Sequence, residues 1–183
     1  GADGLIPVAA GAGGHAGTTS PFALMQEIRE WFDGPVALSG SIAHGQSILA
    51  AQAMGADFAY IGSAFIATKE ANAVEGYKEN IVEAKASDIV YSSLFTGVHG
   101  NYLRQSIVKA GMDPDNLPEG DISTMNFGSG GNTEAKAWKD IWGSGQGIGA
   151  VKEVQSVADM VGRLEAEYRA AKARLDGAYR KGW

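Results

Sequence analysis

Gly11-Ala12-Gly13-Gly14-His15-Ala16-Gly17-Thr18-Thr19 sets a histidine among glycines, directly after the apolar run Leu5-Ile6-Pro7-Val8-Ala9-Ala10 and ahead of Ser20-Pro21. The apolar run predicts a strand buried on both faces. Ser20 can cap a helix whose first position is Pro21, where the missing N–H costs nothing. His15 is therefore expected in a loop at the downstream end of a strand, where α/β proteins place their chemistry. Glycines there let backbone amides approach a ligand closely and allow positive φ. A plain strand-to-helix turn with a surface histidine would look the same if it stood alone. Two later strand ends carry matching features.

Phe22, Met25, Ile28 and Phe32 fall at helical spacing and predict a core-facing stripe ended by Asp33-Gly34. Pro35-Val36-Ala37-Leu38-Ser39 reads as a second short strand, with proline at its first residue. The loop Gly40-Ser41-Ile42-Ala43-His44-Gly45 follows, then a helix over 46–54 with Gly55 at its C-terminal turn. Asp57-Phe58-Ala59-Tyr60-Ile61 predicts a third strand, and Gly62-Ser63 turns into a short helix. Strand, loop and helix thus recur three times with tight connections, the pattern of parallel βα units.

Beyond Thr68 the pattern changes. Residues 68–86 read as a helix, 88–95 have β character, and 96–112 are mixed. Residues 114–133 are rich in Pro, Gly, Asn and Ser and predict a long loop, with 135–142 a short helix or turn. A third glycine cluster, Gly143-Ser144-Gly145-Gln146-Gly147-Ile148-Gly149, precedes the last helix. In that helix Val154, Val157, Val161, Leu164, Tyr168 and Leu175 form an apolar stripe, while Asp159–Arg163 and Glu165–Arg169 stand at i,i+4. The division expected is residues 1–67 as βα units and 68–183 as a mostly helical extension packed on them.

Composition bounds the function. The 183 residues are 45% hydrophobic, enough for a packed core. A net charge of −6 argues against a general nucleic-acid binder. Cysteine is absent, which removes disulfides, thiolate catalysis and cysteine–metal sites and fits a cytoplasmic protein. No apolar run is long enough to span a bilayer. The three histidines are scattered and lack carboxylates at ligand spacing, so no metal site is expected. The opening Gly-Ala-Asp-Gly looks like a helix end running into a strand, as if the text began inside a domain.

Ser39-Gly40-Ser41 and Gly62-Ser63 end successive strands and suit one phosphate. Each offers unencumbered amides and a serine hydroxyl, and the second opens a helix, where an anion sits favourably. Paired loops of this kind hold phosphate at the last two strands of many barrels. His15 would stand one strand away, able to take a proton from a carbon acid or hold an anionic substrate. His44 reads as a surface residue. His99 is open, and Ser144-Gly145-Gln146 can either bind a cofactor or cap a helix.

With those residues in view, the chain resembles the nitronate monooxygenase family, formerly called 2-nitropropane dioxygenases. Ala12-Gly13-Gly14-His15-Ala16-Gly17 is similar to the family's loop bearing the catalytic histidine. Leu38-Ser39-Gly40-Ser41-Ile42, with the alanine-rich stretch 49–57, is similar to its penultimate barrel strand, loop and helix. Residues 61–68 are similar to its last strand and flavin-phosphate turn, and Phe95-Thr96-Gly97 and residues 143–147 to two further segments. Ser41 stands where the family usually shows a second glycine, and Ser63 often appears there as threonine.

The resemblance implies an FMN-dependent (β/α)8 TIM barrel, of which this chain holds the C-terminal portion. It implies His15 as catalytic base or substrate-orienting group and Gly13 and Gly14 against the flavin. Ser39, Gly40, Ser41, Gly62 and Ser63 would hold the flavin phosphate, and Gln146 is the further cofactor contact expected. The implied reaction is oxidation of an alkyl nitronate or nitroalkane by dioxygen to a carbonyl compound and nitrite. Three barrel strands are too few for closure, which takes eight and about 250 residues. The expected partners are therefore the N-terminal half of the barrel and possible further copies of the chain, with neither nucleic acid nor membrane. The alternatives are an FMN-dependent NAD(P)H:quinone or enoyl-thioester reductase, a flavin-free phosphate-binding barrel, and a non-catalytic piece completing a barrel.

Overall fold

The computed structural model describes residues 1–120 and 140–180. Helix α1 (Pro21–Arg29) starts as its sequence dictates, with Ser20 Oγ accepting the Phe22 amide at 3.3 Å and Pro21 in the first turn. Helix α2 (Gly45–Ala53) ends at Met54, and Gly55 leaves it at φ +97°. Strands β2 (Ala37–Ser39) and β3 (Phe58–Tyr60) pair in parallel, Leu38 opposite Ala59. The run 5–9 lies parallel along the other side of β2, through bridges Leu5–Val36 and Val8–Ser39. These bridges and the β2–β3 register put Ile6, Ala37 and Phe58 in one row and Val8, Ser39 and Tyr60 in the next row but one, on the same face. The fold is α/β, with three parallel segments alternating with helices.

The expectation that the first run is buried on both faces is corrected. Pro7 and Ala9 are buried, whereas Ile6 is 56% and Val8 43% exposed, as are Phe58 and Tyr60 in the same rows. One face is covered by α1 and α2: Met25, Ile28 and Ala51 pack on Ala9, Val36 and Leu38. The other face has no covering layer among the described residues. Phe22 is also corrected. It is 62% exposed in the first turn of α1, outside the cluster that Met25, Ile28 and Phe32 join. The helix itself ends at Arg29, before Asp33-Gly34.

After β3 comes α3 (Ser63–Ile66), a single turn. The helix expected over 68–86 is only α4 (Glu75–Glu83), because Thr68 is drawn into a parallel bridge with Gln155. Strand β4 (Ile89–Ser92) pairs antiparallel with β5 (Gly100–Leu103), and β5 leads into α5 (Arg104–Lys109). Strand β5 also pairs antiparallel with β1 (Gly14–His15), His15 opposite Gly100. His15 is thus on a short strand rather than in a loop, because Gly14 at φ +71° lets the chain turn back onto β5. The loop expected over 114–133 and the helix over 135–142 fall largely on residues 121–139, outside the described residues.

The last helix, α6 (Val157–Arg180), begins after Val154. Its buried side is Met160, Leu164 and Ala171, while Val161 and Leu175 are half exposed, so the predicted stripe is corrected to a neighbouring face. The face is set by α2, whose Gly45 touches the α6 backbone so closely that a Cβ would collide with the amide nitrogen of Tyr168. Glu165 and Arg169 pair at 2.5 Å as spaced. Asp159 instead bonds Ser156 Oγ at 2.6 Å, and Arg163 pairs with Glu167 at 2.7 Å. Glu167 also accepts the Gly45 amide at 2.8 Å. Burial favours protonating Glu167, but the Gly45 amide and Arg163 outweigh it and hold the carboxyl below its ordinary range. Among the described residues no helix is long and apolar enough to cross a membrane.

Candidate functional site

Three glycine-bearing segments, 11–14, 39–43 and 143–147, meet at one carbonyl. Gly11 O accepts the Ser41 amide at 3.3 Å and the Gln146 amide at 2.9 Å. Ala12 O accepts the buried Asn101 side chain at 2.7 Å, and Asn101 O accepts the Ser144 amide at 3.0 Å. The packing requires missing Cβ atoms. One on Gly11 would collide with Ser41 Oγ, and one on Gly13 would lie 2.7 Å from Ser63 Oγ. Gly11 itself sits at φ +81°.

A cavity of about 340 Å³ opens over this junction. Gly13, Gly14, Ser39, Gly40, Ser41, Gly62 and Ser63 all line it, so these seven sequence-derived positions are brought together. Gln146 is exposed and meets the junction through its amide, without lining the cavity. Gly14 and Gly62 have nothing within 4 Å of where a Cβ would be, so their bare backbones leave open space. Ser41 takes φ 55°, a left-handed conformation that favours glycine.

The polar groups here are neutral. No lysine or arginine is among the residues lining the cavity. Ser63 Oγ accepts the Gly145 amide at 2.8 Å, which leaves its proton to donate. In the first turn of α3 the Phe65 amide donates to Gly62 O at 2.9 Å, whereas helix geometry gives the Ser63 and Ala64 amides no intrahelical acceptor. The helix expected to add a dipole is one turn long, so amides and hydroxyls carry any anion binding, not a macrodipole. The N-terminal amide of α2 is already occupied by Glu167.

His15 follows Gly14 out of this cavity and is exposed. Its Nε2 lies 2.9 Å from Thr96 Oγ1. A second cavity of about 280 Å³ meets the first at Gly14 and Gly143 and is lined by His15, Tyr77, Tyr102 and Trp142. Tyr77 donates to Gly143 O and stacks on Trp142 at 5.0 Å; burial pushes its phenol up to about 12. Burial also raises Tyr102, with Thr96 near enough to offset part of the rise. Tyr102 Oη nevertheless meets no partner at hydrogen-bond geometry among the described residues. Of the open aromatics, Tyr102 and Trp142 reach this wall, whereas Tyr91 bonds Ala16 O at 2.8 Å and stacks on exposed His99.

His44 is half-buried and caps α2 with Ser47, which corrects its reading as a surface residue. Among the described residues no three His, Asp or Glu side chains cluster to hold a metal ion. Thr96 and Asn101 were not legible as site residues. Thr96 stood out only as part of Phe95-Thr96-Gly97, a segment similar to one of the family's but with no role attached, and Asn101 had no signal.

A family model described as nitronate monooxygenase matches residues 1–167. The nitronate monooxygenase of Paraburkholderia phytofirmans is 28% identical over 191 residues, covering 96% of this chain and 51% of that protein. A probable nitronate monooxygenase of Staphylococcus aureus is 24% identical over 161 residues, covering 80% and 45%. Among solved structures, the nitroalkane oxidase from Streptomyces ansochromogenes aligns with a TM-score of 0.75 at 27% identity, covering 96% of this chain and 54% of that one. FabK from Thermotoga maritima shares the fold, with a TM-score of 0.72 at 23% identity over 97% of this chain and 58% of that one. The chain spans about half the length of the curated relatives it matches.

Proposed function

The chain belongs to the nitronate monooxygenase family, and from that premise we propose that it carries the phosphate-binding and proton-handling part of an FMN-dependent oxidoreductase. The reaction proposed is oxidation of alkyl nitronates or nitroalkanes by dioxygen to a carbonyl compound and nitrite. The whole enzyme would be a (β/α)8 barrel, with this chain as its C-terminal portion and the remaining strands covering the open face of Ile6, Val8, Phe58 and Tyr60.

One observation carries the reading: two serine-glycine turns and the glycines preceding His15 line a single cavity. Its size falls in the range of small-molecule sites. The residues fit a flavin phosphate tail, because the bare Gly14 and Gly62 leave room that any Cβ would occupy. Ser39, Ser41 and Ser63 would donate hydroxyls to the phosphate, with the amides around Gly40 and Gly62 beside them. Gly13 and Gly14 would let the ring approach the backbone, and Gln146 would steady the third loop from behind. FMN, when bound, would supply the electron transfer and the reaction with dioxygen.

His15 would act on the substrate carbon. For a neutral nitroalkane it takes the proton from the carbon that bears the nitro group, and the electron pair moves onto the nitro oxygens. For a nitronate already formed, its cationic form holds the negative oxygens. The aromatic wall of Tyr77 and Trp142 would exclude water beside it.

The test is to purify the full-length polypeptide, measure bound flavin, and assay it with nitronate under air. Nitrite release coupled to oxygen uptake supports the proposal. NAD(P)H oxidation without nitrite would replace it with a reductase, and a colourless protein that binds phosphate esters would remove flavin from the account.

A further inference from the structure

We propose that Thr96 fixes which nitrogen of His15 carries the proton, so that the neutral ring keeps its lone pair on Nδ1. The inference rests on the reading of His15 as the reacting base and adds a positioning residue that acts through it.

Thr96 Oγ1 lies 2.9 Å from His15 Nε2. A threonine hydroxyl has one proton to give. Here it goes to the Val98 carbonyl, 2.7 Å away. The oxygen therefore faces the imidazole as an acceptor, and Nε2 must be the donor. The Val98 amide approaches the same oxygen from another side, at 3.3 Å, again as a donor. Reversing the ring bond would take the hydroxyl proton from Val98 O, leaving that carbonyl short of a partner.

The two residues are 81 positions apart, and their meeting does not depend on this bond alone. His15 is opposite Gly100 in the β1–β5 ladder, and Ala16 N donates to His99 O at 3.2 Å. Gly97, at φ +70°, tightens the turn beyond Thr96, with its amide on Ser93 O at 2.7 Å. Thr96 is 4% exposed, so water does not compete for Oγ1, although the histidine ring reaches solvent. Tyr102 adds no charge beside this pair, because burial keeps its phenol protonated.

The consequence is chemical. The two tautomers of a neutral imidazole exchange donor for acceptor, and only one can take a proton from a given direction. With Nε2–H spent on Thr96, a proton leaving the substrate carbon is received at Nδ1. The resulting imidazolium keeps the Nε2–H···Oγ1 bond, so nothing rearranges as charge develops.

The test uses full-length, flavin-loaded protein labelled with 15N-histidine, read by long-range 1H–15N correlation at a pH where His15 is neutral. The wild type should show His15 protonated at Nε2. Thr96→Val should move population to the Nδ1–H form and slow proton abstraction from a neutral nitroalkane by roughly 100-fold, at unchanged flavin content. Thr96→Ser should restore both, and Thr96→Ala is the second hydroxyl-free variant if valine disturbs the turn. A hydroxyl-free variant that keeps the Nε2–H form overturns the proposal, as does a serine variant that fails to recover it. Full turnover in His15→Asn would instead remove the base reading and leave the tautomer result standing.

Discussion

Ser63 Oγ accepts the amide of Gly145 at 2.8 Å, which ties the third glycine cluster to the turn that opens α3. The two residues are 82 positions apart. The contact places the C-terminal half of the chain inside the same junction as the βα units. It also means that a ligand bound at this turn would find the Ser63 oxygen already oriented, because one lone pair is committed to the protein.

His15→Asn should separate two kinds of substrate. Asparagine keeps a polar group of similar reach but cannot hold a proton as a base. Turnover of a neutral nitroalkane should fall by at least about 100-fold, and turnover of a preformed nitronate much less. Oxygen uptake with each substrate in the full-length protein measures the split. Equal losses on both would contradict the proton-transfer role.

Gly62→Leu and Gly11→Ala should fail in different ways. Gly62 has φ −111° and nothing within 4 Å of its Cβ direction, so leucine enters the cavity without disturbing the fold. Flavin occupancy should drop at least about tenfold with little change in melting temperature, since most substitutions clear of packing cost under about 0.5 kcal/mol. Gly11→Ala meets both a positive φ and Ser41 Oγ, and should lower stability by about 2 kcal/mol or more. Flavin absorbance read beside thermal melts distinguishes the two outcomes.

Ser41→Gly should stabilise the fold. Serine at φ 55° bears a strain of about 1 kcal/mol that glycine removes, offset in part by the larger entropy glycine loses on folding. The net gain expected is about 0.5 kcal/mol, read as a rise in denaturant midpoint at constant m-value. A fall would mean that the Ser41 hydroxyl contributes more to the junction than its backbone costs.

Asp57 should shape the acid limb of stability. The Val36 amide, and after it the Arg29 guanidinium, hold its carboxyl below the ordinary 3.8. The amide bond is 2.8 Å and the ion pair 2.9 Å. A depressed carboxyl contributes stability that is complete above 3.8 and lost as pH falls through the lower folded value. Asp57→Asn should therefore be less stable at pH 7 and show a flatter decline below pH 4. Denaturant melts across that range test it, and parallel curves for the two proteins would count against it.

The parallel βα units were readable because their signals are local. Ser20-Pro21 starts α1, Gly55 ends α2, and the serine-glycine turns end short apolar runs. The site was legible to the same degree, since seven of its candidates line one cavity. What escaped was decided at a distance. His15 became a strand residue because 85 positions later Gly100 lies opposite it, and nothing near either residue announces the pairing. The buried side of α6 was misplaced because Gly45, on another helix, chooses which residues face inward. Arg163 had two acids within one turn and took Glu167, since Ser156 already held Asp159. Thr96 matters only through its partner, and no pattern within its own segment discloses that.

The doubled bond on the Gly11 oxygen has one more consequence. Loops that are already fastened to each other have little freedom left to lose when a guest arrives. Capture should then proceed in a single kinetic phase whose rate rises linearly with guest concentration, without a slow closing step.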